Sequence, residues 1–269
     1  MNDDSALTRY QRQIQFYGLA EKGQRKLLAS RVLIVGCGAT GSALAMLLAR
    51  AGVGFLRLVD YDVVELGNLH RQMLFYEQDA REKRAKTVAA AARLQAANST
   101  IDIEPVVSTF SRANALALAG DVDLILDGTD NFETRYLIND VAVKLGIPWI
   151  YTGVMASYGM GATIIPAGAA IKTGREPTPC LQCLLGPEPP SGGPTINTAG
   201  VIGPIVTFMA SISATEALKI LTGQGEPNRG MFMMDLWENS FEQFGVAAAK
   251  KDCPLCSAGE YRFLAAQAP

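Results

Sequence analysis

The clearest pattern of apolar and polar positions runs from Arg31 to Asp60. Four apolar residues, Val32 to Val35, lead into the turn Gly36-Cys37-Gly38-Ala39-Thr40-Gly41. A helix-compatible segment, Ser42 to Arg50, follows, and a second apolar run, Gly54 to Val59, ends at Asp60. A short unbroken apolar run fits a strand buried on both faces, as in a parallel sheet. Strand, glycine turn, helix, strand and acid in that order make a dinucleotide-type βαβ unit. The glycines let backbone N–H groups approach a phosphate, and the helix start behind them favours negative charge. They equally permit tight helix–strand packing. Asp60 stands where an acid can accept hydrogen bonds from ribose hydroxyls.

The same pattern predicts the other elements. Residues 5 to 28 read as helical, and spacing alone puts Arg9-Tyr-Gln-Arg12-Gln13 on a solvated face. After Asp60 the chain is polar and loop-like through Asp62, Asn68, His70, Arg71 and Gln72, groups that hydrogen-bond phosphate or sugar. An ordinary dehydrogenase has no evident need for this insertion. Residues 78–97 lack Pro and Gly and predict one strong helix, with Lys83, Arg84 and Lys86 in its first turns. Cations there oppose the helix dipole, which an anionic ligand would offset.

A short strand at 101–107 and a weak helix at 111–119 precede Val122 to Asp127, a buried strand that ends in Asp127-Gly128-Thr129-Asp130-Asn131. Ligands of open α/β sheets sit beyond the carboxyl ends of strands, so this edge suggests a nucleotide–metal site. Asp130 or Asn131 alternatively caps the helix predicted at 132–145. Strands are predicted at 148–154 and, antiparallel, at 159–166. A long irregular loop, 167–198, leads to a helix at 201–222 and two short strands, 230–236 and 240–245.

Composition narrows the class. A chain of 269 residues with no repeats and no low-complexity linker reads as one continuous α/β domain. Its formal charge of -2 gives no reason to expect a nucleic acid or an anionic membrane. Met1-Asn-Asp-Asp lacks the basic start of a signal peptide. The most apolar stretch, Val201 to Leu221, carries Glu216 and Lys219 and is expected to be a buried helix rather than a membrane span. Four of the five cysteines form two CxxC pairs, Cys180/Cys183 and Cys253/Cys256. Four thiolates suit one tetrahedral, closed and therefore structural zinc, which would tie the tail to the mid-chain loop. A redox pair and an iron–sulfur cluster are the rivals. Cys37 reads as a small apolar filler. A cytoplasmic protein fits this cysteine usage.

Taken together, these motifs resemble the adenylating enzymes of the MoeB/ThiF/HesA group, relatives of the ubiquitin-activating enzymes. The likeness rests on Arg9-Tyr-x-Arg12-Gln13, Gly36-x-Gly38-x-x-Gly41, Asp60-x-Asp62, Asn68-Leu-x-Arg71-Gln72, Lys86, Asp127-x-Thr129-Asp130-Asn131, both CxxC pairs and Ala199-Gly200-Val-x-Gly-Pro204. It implies a Rossmann-like α/β fold: a mostly parallel sheet with helices on both faces, antiparallel C-terminal additions and a zinc-tied tail. One adenylation domain would span 1–269, with N-terminal helices at 1–30, a nucleotide core at 31–155 and a carrier-binding and zinc part at 156–269.

The resemblance implies ATP and Mg2+ as cofactors beside Zn2+, in a homodimer. The activity would be adenylyl transfer to the C-terminal Gly-Gly carboxylate of a small β-grasp sulfur carrier of the ThiS or MoaD type, releasing pyrophosphate. By resemblance Asp60 holds the ribose; Asn68, Arg71 and Lys86 contact the phosphates, and Asp130 binds magnesium. Arg12 reaches the triphosphate from the other subunit. Gly128 and Thr129 lie near the adenine or the α-phosphate. Ala39, Thr40, Asp62, Gln72, Asp127 and Asn131 complete the nucleotide set. The 167–198 loop crosses over the incoming carrier tail.

Two departures matter. Ile196 stands where many relatives carry a cysteine, so the sulfur would come from a separate sulfurtransferase. The segment before Lys86 lacks the usual Gly or Pro, so Lys83 or Arg84 is a candidate for part of the phosphate role. An NAD-linked oxidoreductase on the same βαβ unit, a non-catalytic scaffold and an enzyme adenylating a peptide are the alternatives.

Overall fold

The apolar runs become the centre of one eight-stranded sheet. The structure, a computed structural model, describes residues 7–190, 196–245 and 248–265. The strands are β1 (Arg31–Val35), β2 (Phe55–Asp60), β3 (Asp102–Val107), β4 (Leu124–Asp127), β5 (Trp149–Met155), β6 (Tyr158–Ile164), β7 (Met231–Asp235) and β8 (Ser240–Phe244). Their spatial order is β3-β2-β1-β4-β5-β6-β7-β8. The pairs from β3 through β5 are parallel and those from β5 through β8 antiparallel. After β3 the chain crosses back to add β4 on the other side of β1, so the carboxyl ends of β1 and β4 stand side by side with helices leaving to opposite faces. That is the switch point at which open α/β sheets bind ligands.

Strand alternation builds two cores. Val32, Ile34, Leu124 and Leu126 face α2 (Ala20–Ala29), α3 (Ala39–Ala51), α5 (Lys86–Ala97) and α11 (Gly203–Thr222). Leu33, Val35, Ile125 and Trp149 face α6 (Ala115–Ala119), α7 (Phe132–Leu145) and α9 (Leu181–Leu185). Helix α11 is long and apolar enough to cross a membrane, but it packs against α3 and β5 as a core helix.

The structure redraws three elements. The N-terminal helix is broken into α1 (Gln11–Ile14) and α2, whose first residue, Ala20, takes φ 54°. The strong helix at 78–97 is likewise two pieces, α4 (Glu77–Arg81) and α5. Propensity favours continuity here, but tertiary pairing wins: Val64 N–H donates to Arg84 O (2.9 Å) and Lys86 N–H to Asp62 O (2.9 Å). Lys83 takes φ 46° to make the turn, and Lys86 becomes the first residue of α5. The 167–198 stretch, expected to be irregular, holds α8 (Ala167–Thr173), α9 and α10 (Ile196–Ala199). Pro194 and Thr195 lie outside the described residues, as does the side chain of Ile196.

Candidate functional site

Three glycines lock two turns together. Gly36 ends β1 at φ +88°, and a Cβ added there would sit 2.6 Å from Gly128 O. A Cβ on Gly128 would sit 2.4 Å from Gly36 O, and one on Gly41 only 1.8 Å from that same carbonyl. The turn after β1 and the turn after β4 therefore touch backbone to backbone. Gly38 is different: its nearest neighbour is Gln72 Nε2 at 3.8 Å, and it faces a cleft. Within one motif, then, Gly36 and Gly41 are tightly packed and Gly38 is open to the cleft.

The cleft has a volume of about 290 Å3 and follows the carboxyl ends of β1 to β4. Gly36, Gly38, Ala39, Thr40, Asp60 and Asp62 line it on the β1–β2 side. Asp60 braces the glycine turn: Oδ2 accepts from Cys37 N–H (2.7 Å) and Oδ1 from Asp62 N–H (2.8 Å). Each carboxylate oxygen keeps a second lone pair for a ligand. Lys86 is nearly buried and pairs with Asp62 at 2.7 Å. One acceptor leaves two of its three ammonium protons for others.

The polar loop closes the cleft from above. Arg71 Nη2 donates to Asn68 Oδ1 at 2.9 Å, so the amide aims the guanidinium. Gln72 is 3 % exposed, and its buried Oε1 has no hydrogen-bond partner among the described residues. On the β4 side Gly128, Thr129, Asp130 and Asn131 line the cleft. Asn131 caps α7 by accepting from Thr134 N–H at 2.9 Å. Asp130 is exposed and accepts no hydrogen bond among the described residues. The two capping alternatives are thereby separated: the amide caps, and the acid faces the cleft.

Some expected residues lie elsewhere. Asp127 is fully buried behind the cleft, where it pairs with Arg135 at 2.8 Å and accepts from Thr129 and Thr152. Gly41 packs under the turn. Arg84 bonds to Asp79 at 3.4 Å, and neither it nor Lys83 lines the cleft. Arg12 is exposed and donates to Gln15 Oε1 (3.2 Å). Its neighbour Tyr10 packs on Gly52 at the far end of α3. Thirteen helical residues span about 20 Å, so Arg12 does not reach the cleft of its own chain.

Sequence reasoning overlooked Ser108, Thr109 and Phe110, which line the cleft after β3. The signal was present, since β3 neighbours β2 and its carboxyl end falls on the same edge. It also overlooked Arg135, a buried guanidinium on α7. Burial works against its charge, and Asp127 more than offsets this, holding its pKa above the ordinary arginine value.

The four cysteines of the CxxC pairs converge. Their Sγ atoms all lie within 4.8 Å of one another, with separations of 3.8 Å (Cys180–Cys183), 3.6 Å (Cys180–Cys253) and 3.5 Å (Cys183–Cys256). Tetrahedral zinc with Zn–S bonds of about 2.3 Å sets sulfurs about 3.8 Å apart, so the donor set fits that ion. Cys37 is apart from them and fully buried, and burial chiefly pushes its thiol pKa up.

The fold and the cleft define a Rossmann-type α/β protein with a glycine turn, flanking cations and an open carboxylate at its switch point. The chain belongs to the ThiF family, whose model matches residues 10–255. It is 42% identical over 258 residues to the sulfur carrier protein ThiS adenylyltransferase of Bacillus subtilis, covering 95% of this chain and 73% of that protein. It is 36% identical over 252 residues to the sulfur carrier protein adenylyltransferase of Thermus thermophilus, covering 93% and 90%. Among solved structures, E. coli MccB with MccA-N7isoASN superposes with a TM-score of 0.80 at 23% identity, covering 95% of this chain and 76% of that one.

Proposed function

We propose that this chain is an ATP- and Mg2+-dependent adenylyltransferase that activates the C-terminal Gly-Gly carboxylate of a ThiS- or MoaD-like sulfur carrier. The observation that carries it is the meeting of Arg71, Lys86 and Asp130 in one cleft with Gly36 and Gly38. The relatives' adenylyltransferase names support the same reading. A carboxylate is already ionised at neutral pH, so its attack on the α-phosphate needs no general base. The obstacle is one anion approaching a polyanion, and positioning with charge neutralisation overcomes it. Asp60 receives the ribose. Asn68, Arg71 and Lys86 spread the phosphate charge, with Thr40 and Gln72 beside them. Magnesium, held by Asp130, supplies further neutralisation when bound. The cysteine cluster holds structural zinc.

The whole chain acts as one adenylation unit in a cytoplasmic homodimer, and Arg12 serves the partner subunit's cleft. Its distance from its own cleft supports that assignment. Four cysteines are committed to the cluster and Cys37 is buried, so the sulfur donor is a separate sulfurtransferase. The test mixes the full chain with ATP, Mg2+ and small β-grasp proteins ending in Gly-Gly. Carrier-dependent ATP–pyrophosphate exchange and an AMP adduct seen by mass spectrometry are expected. Saturable NAD binding with no ATP binding would overturn the proposal.

A further inference from the structure

Arg135 sits one turn into α7, 5 % exposed, and does not line the cleft. Its Nε donates to Asp127 Oδ2 (2.8 Å), and its Nη2 donates to Thr129 O (2.7 Å) and Thr152 O (3.3 Å). Asp127 Oδ1 accepts from Thr129 N–H (2.8 Å) and from Thr129 Oγ1 (2.7 Å). Asp127 Oδ2 also accepts from Thr152 N–H (3.2 Å). One buried ion pair therefore grips both backbone polar groups of Thr129, the N–H through the acid and the C=O through the guanidinium.

That carbonyl belongs to the planar peptide that leads into Asp130. On the other side, Asn131 is fixed as the cap of α7. Asp130 makes no hydrogen bond and no ion pair among the described residues and feels the Arg135 charge only through space, so its position comes chiefly from the peptides before and after it. A pair kept for stability alone is poorly motivated here, because a well-packed apolar pair commonly does as well. The planar fork of an arginine suits three acceptors at once, where an ammonium acts as a point charge.

We propose that Arg135 is a positioning residue: with Asp127 it clamps Thr129 and thereby holds the Asp130 carboxylate where a nucleotide-bound divalent cation meets it. This rests on the cleft reading given above for Asp130. The test measures ATP affinity by calorimetry for the full chain in Mg2+ and again in EDTA, well below every melting temperature. The readout is the ratio of the two affinities, which needs no carrier protein.

The parent is expected to bind ATP more tightly in Mg2+, and Asp130→Asn to abolish that advantage. Arg135→Lys is expected to shrink it about tenfold, because a small misplacement of a charged group is enough to weaken its action. Its affinity in EDTA stays within about twofold of the parent. Lower thermal stability with an undiminished magnesium advantage in Arg135→Lys would make the residue merely structural and overturn the clamp. No magnesium advantage in the parent, or an undiminished one in Asp130→Asn, would instead remove the cleft reading on which the clamp depends. Should Arg135→Lys fail to fold, Asp127→Asn carries the test. It keeps an acceptor for Thr129 N–H and weakens only the anchor of the guanidinium, and an unchanged ratio there overturns the proposal.

Discussion

The cleft and the cysteine cluster follow opposite rules, although α7 supports both. In the cleft, Asp130 is exposed, Arg71 is held among the described residues by the Asn68 amide, the Gly67 carbonyl and the His70 ring, and Lys86 shares one carboxylate. Hydrogen-bonding capacity is left over for a ligand. In the cluster, four sulfurs converge on one point and three of their residues are buried. A closed four-thiolate set has no position left for a substrate. The tail beyond it is pinned: Asp140 Oδ2 accepts from Phe263 N–H (2.7 Å) and Leu264 N–H (3.2 Å), and Phe263 packs 5.0 Å from the Tyr136 ring. Asn139, one residue earlier on α7, accepts from Leu181 N–H beside Cys180. The start of α7 serves the open region and its middle the closed one. In the cleft the unused donors and acceptors line an open pocket, whereas at the cluster the four sulfurs face one another and the tail is fixed to α7.

The largest effect should come from the open side. Arg71→Ala with Asp130→Ala removes a cation and an open carboxylate, and ATP–pyrophosphate exchange is expected to fall about a thousandfold or more. The melting temperature should hold, because neither side chain is buried or part of an ion pair among the described residues. Retained exchange breaks the assignment of the open region. On the closed side, chelating the zinc proposed for the cluster, or substituting Cys253→Ser, should lower the melting temperature by roughly 5 °C or more, since structural zinc contributes folding energy directly. ATP affinity should stay within about twofold. A parallel loss of ATP affinity would show that α7 couples the regions rather than merely bridging them.

Legibility in the sequence divides along the same line. Strands β1, β2 and β4 were readable because a strand buried on both faces is apolar throughout, and Phe132–Leu145 because Asn131 and Gly146 bound it. The helix expected over 78–97 was misread because propensity is local, whereas the Val64–Arg84 and Asp62–Lys86 backbone bonds are not. The glycine motif announced its turn but not the division of labour within it, since Gly128 lies far along the chain from Gly36. Asp127 looked like a ligand because it ends a central strand. Its partner Arg135 sits eight residues on, and nothing in the spacing says that the arginine turns inward. Ser108 to Phe110 carry no motif, and only sheet order brings them to the cleft.

A smaller effect probes the seam between the turns. Gly128→Ala would push a methyl group against Gly36 O, and overpacking of this kind costs about 1–3 kcal/mol. Because the strained contact is the glycine turn itself, ATP affinity should fall as well, unlike in any cluster variant. Loss of stability with full ATP affinity would show that the seam belongs to the closed, structural class.

The smallest effect tests saturated charge far from both sites. Asp121 bonds to Arg57 at 2.5 Å and to Arg31, at the amino end of β1, at 2.7 Å. The Arg57 guanidinium, against the opposing pull of burial and with help from Arg31, holds the Asp121 carboxyl down to about 2. A depressed pKa means stability that is complete above the ordinary aspartate range of about 4 and lost as pH falls toward 2. The Asp121 side chain is 49 % exposed, so solvent screening limits the contribution to about 1 kcal/mol or less. In urea unfolding, the parent should therefore lose up to that amount more between pH 4 and pH 2 than Asp121→Asn does, with ATP affinity the same in both. Equal acid slopes would mean that the Arg57 pairing contributes nothing, and paired surface charge would then no longer stand beside the cysteine cluster as a device that holds the chain.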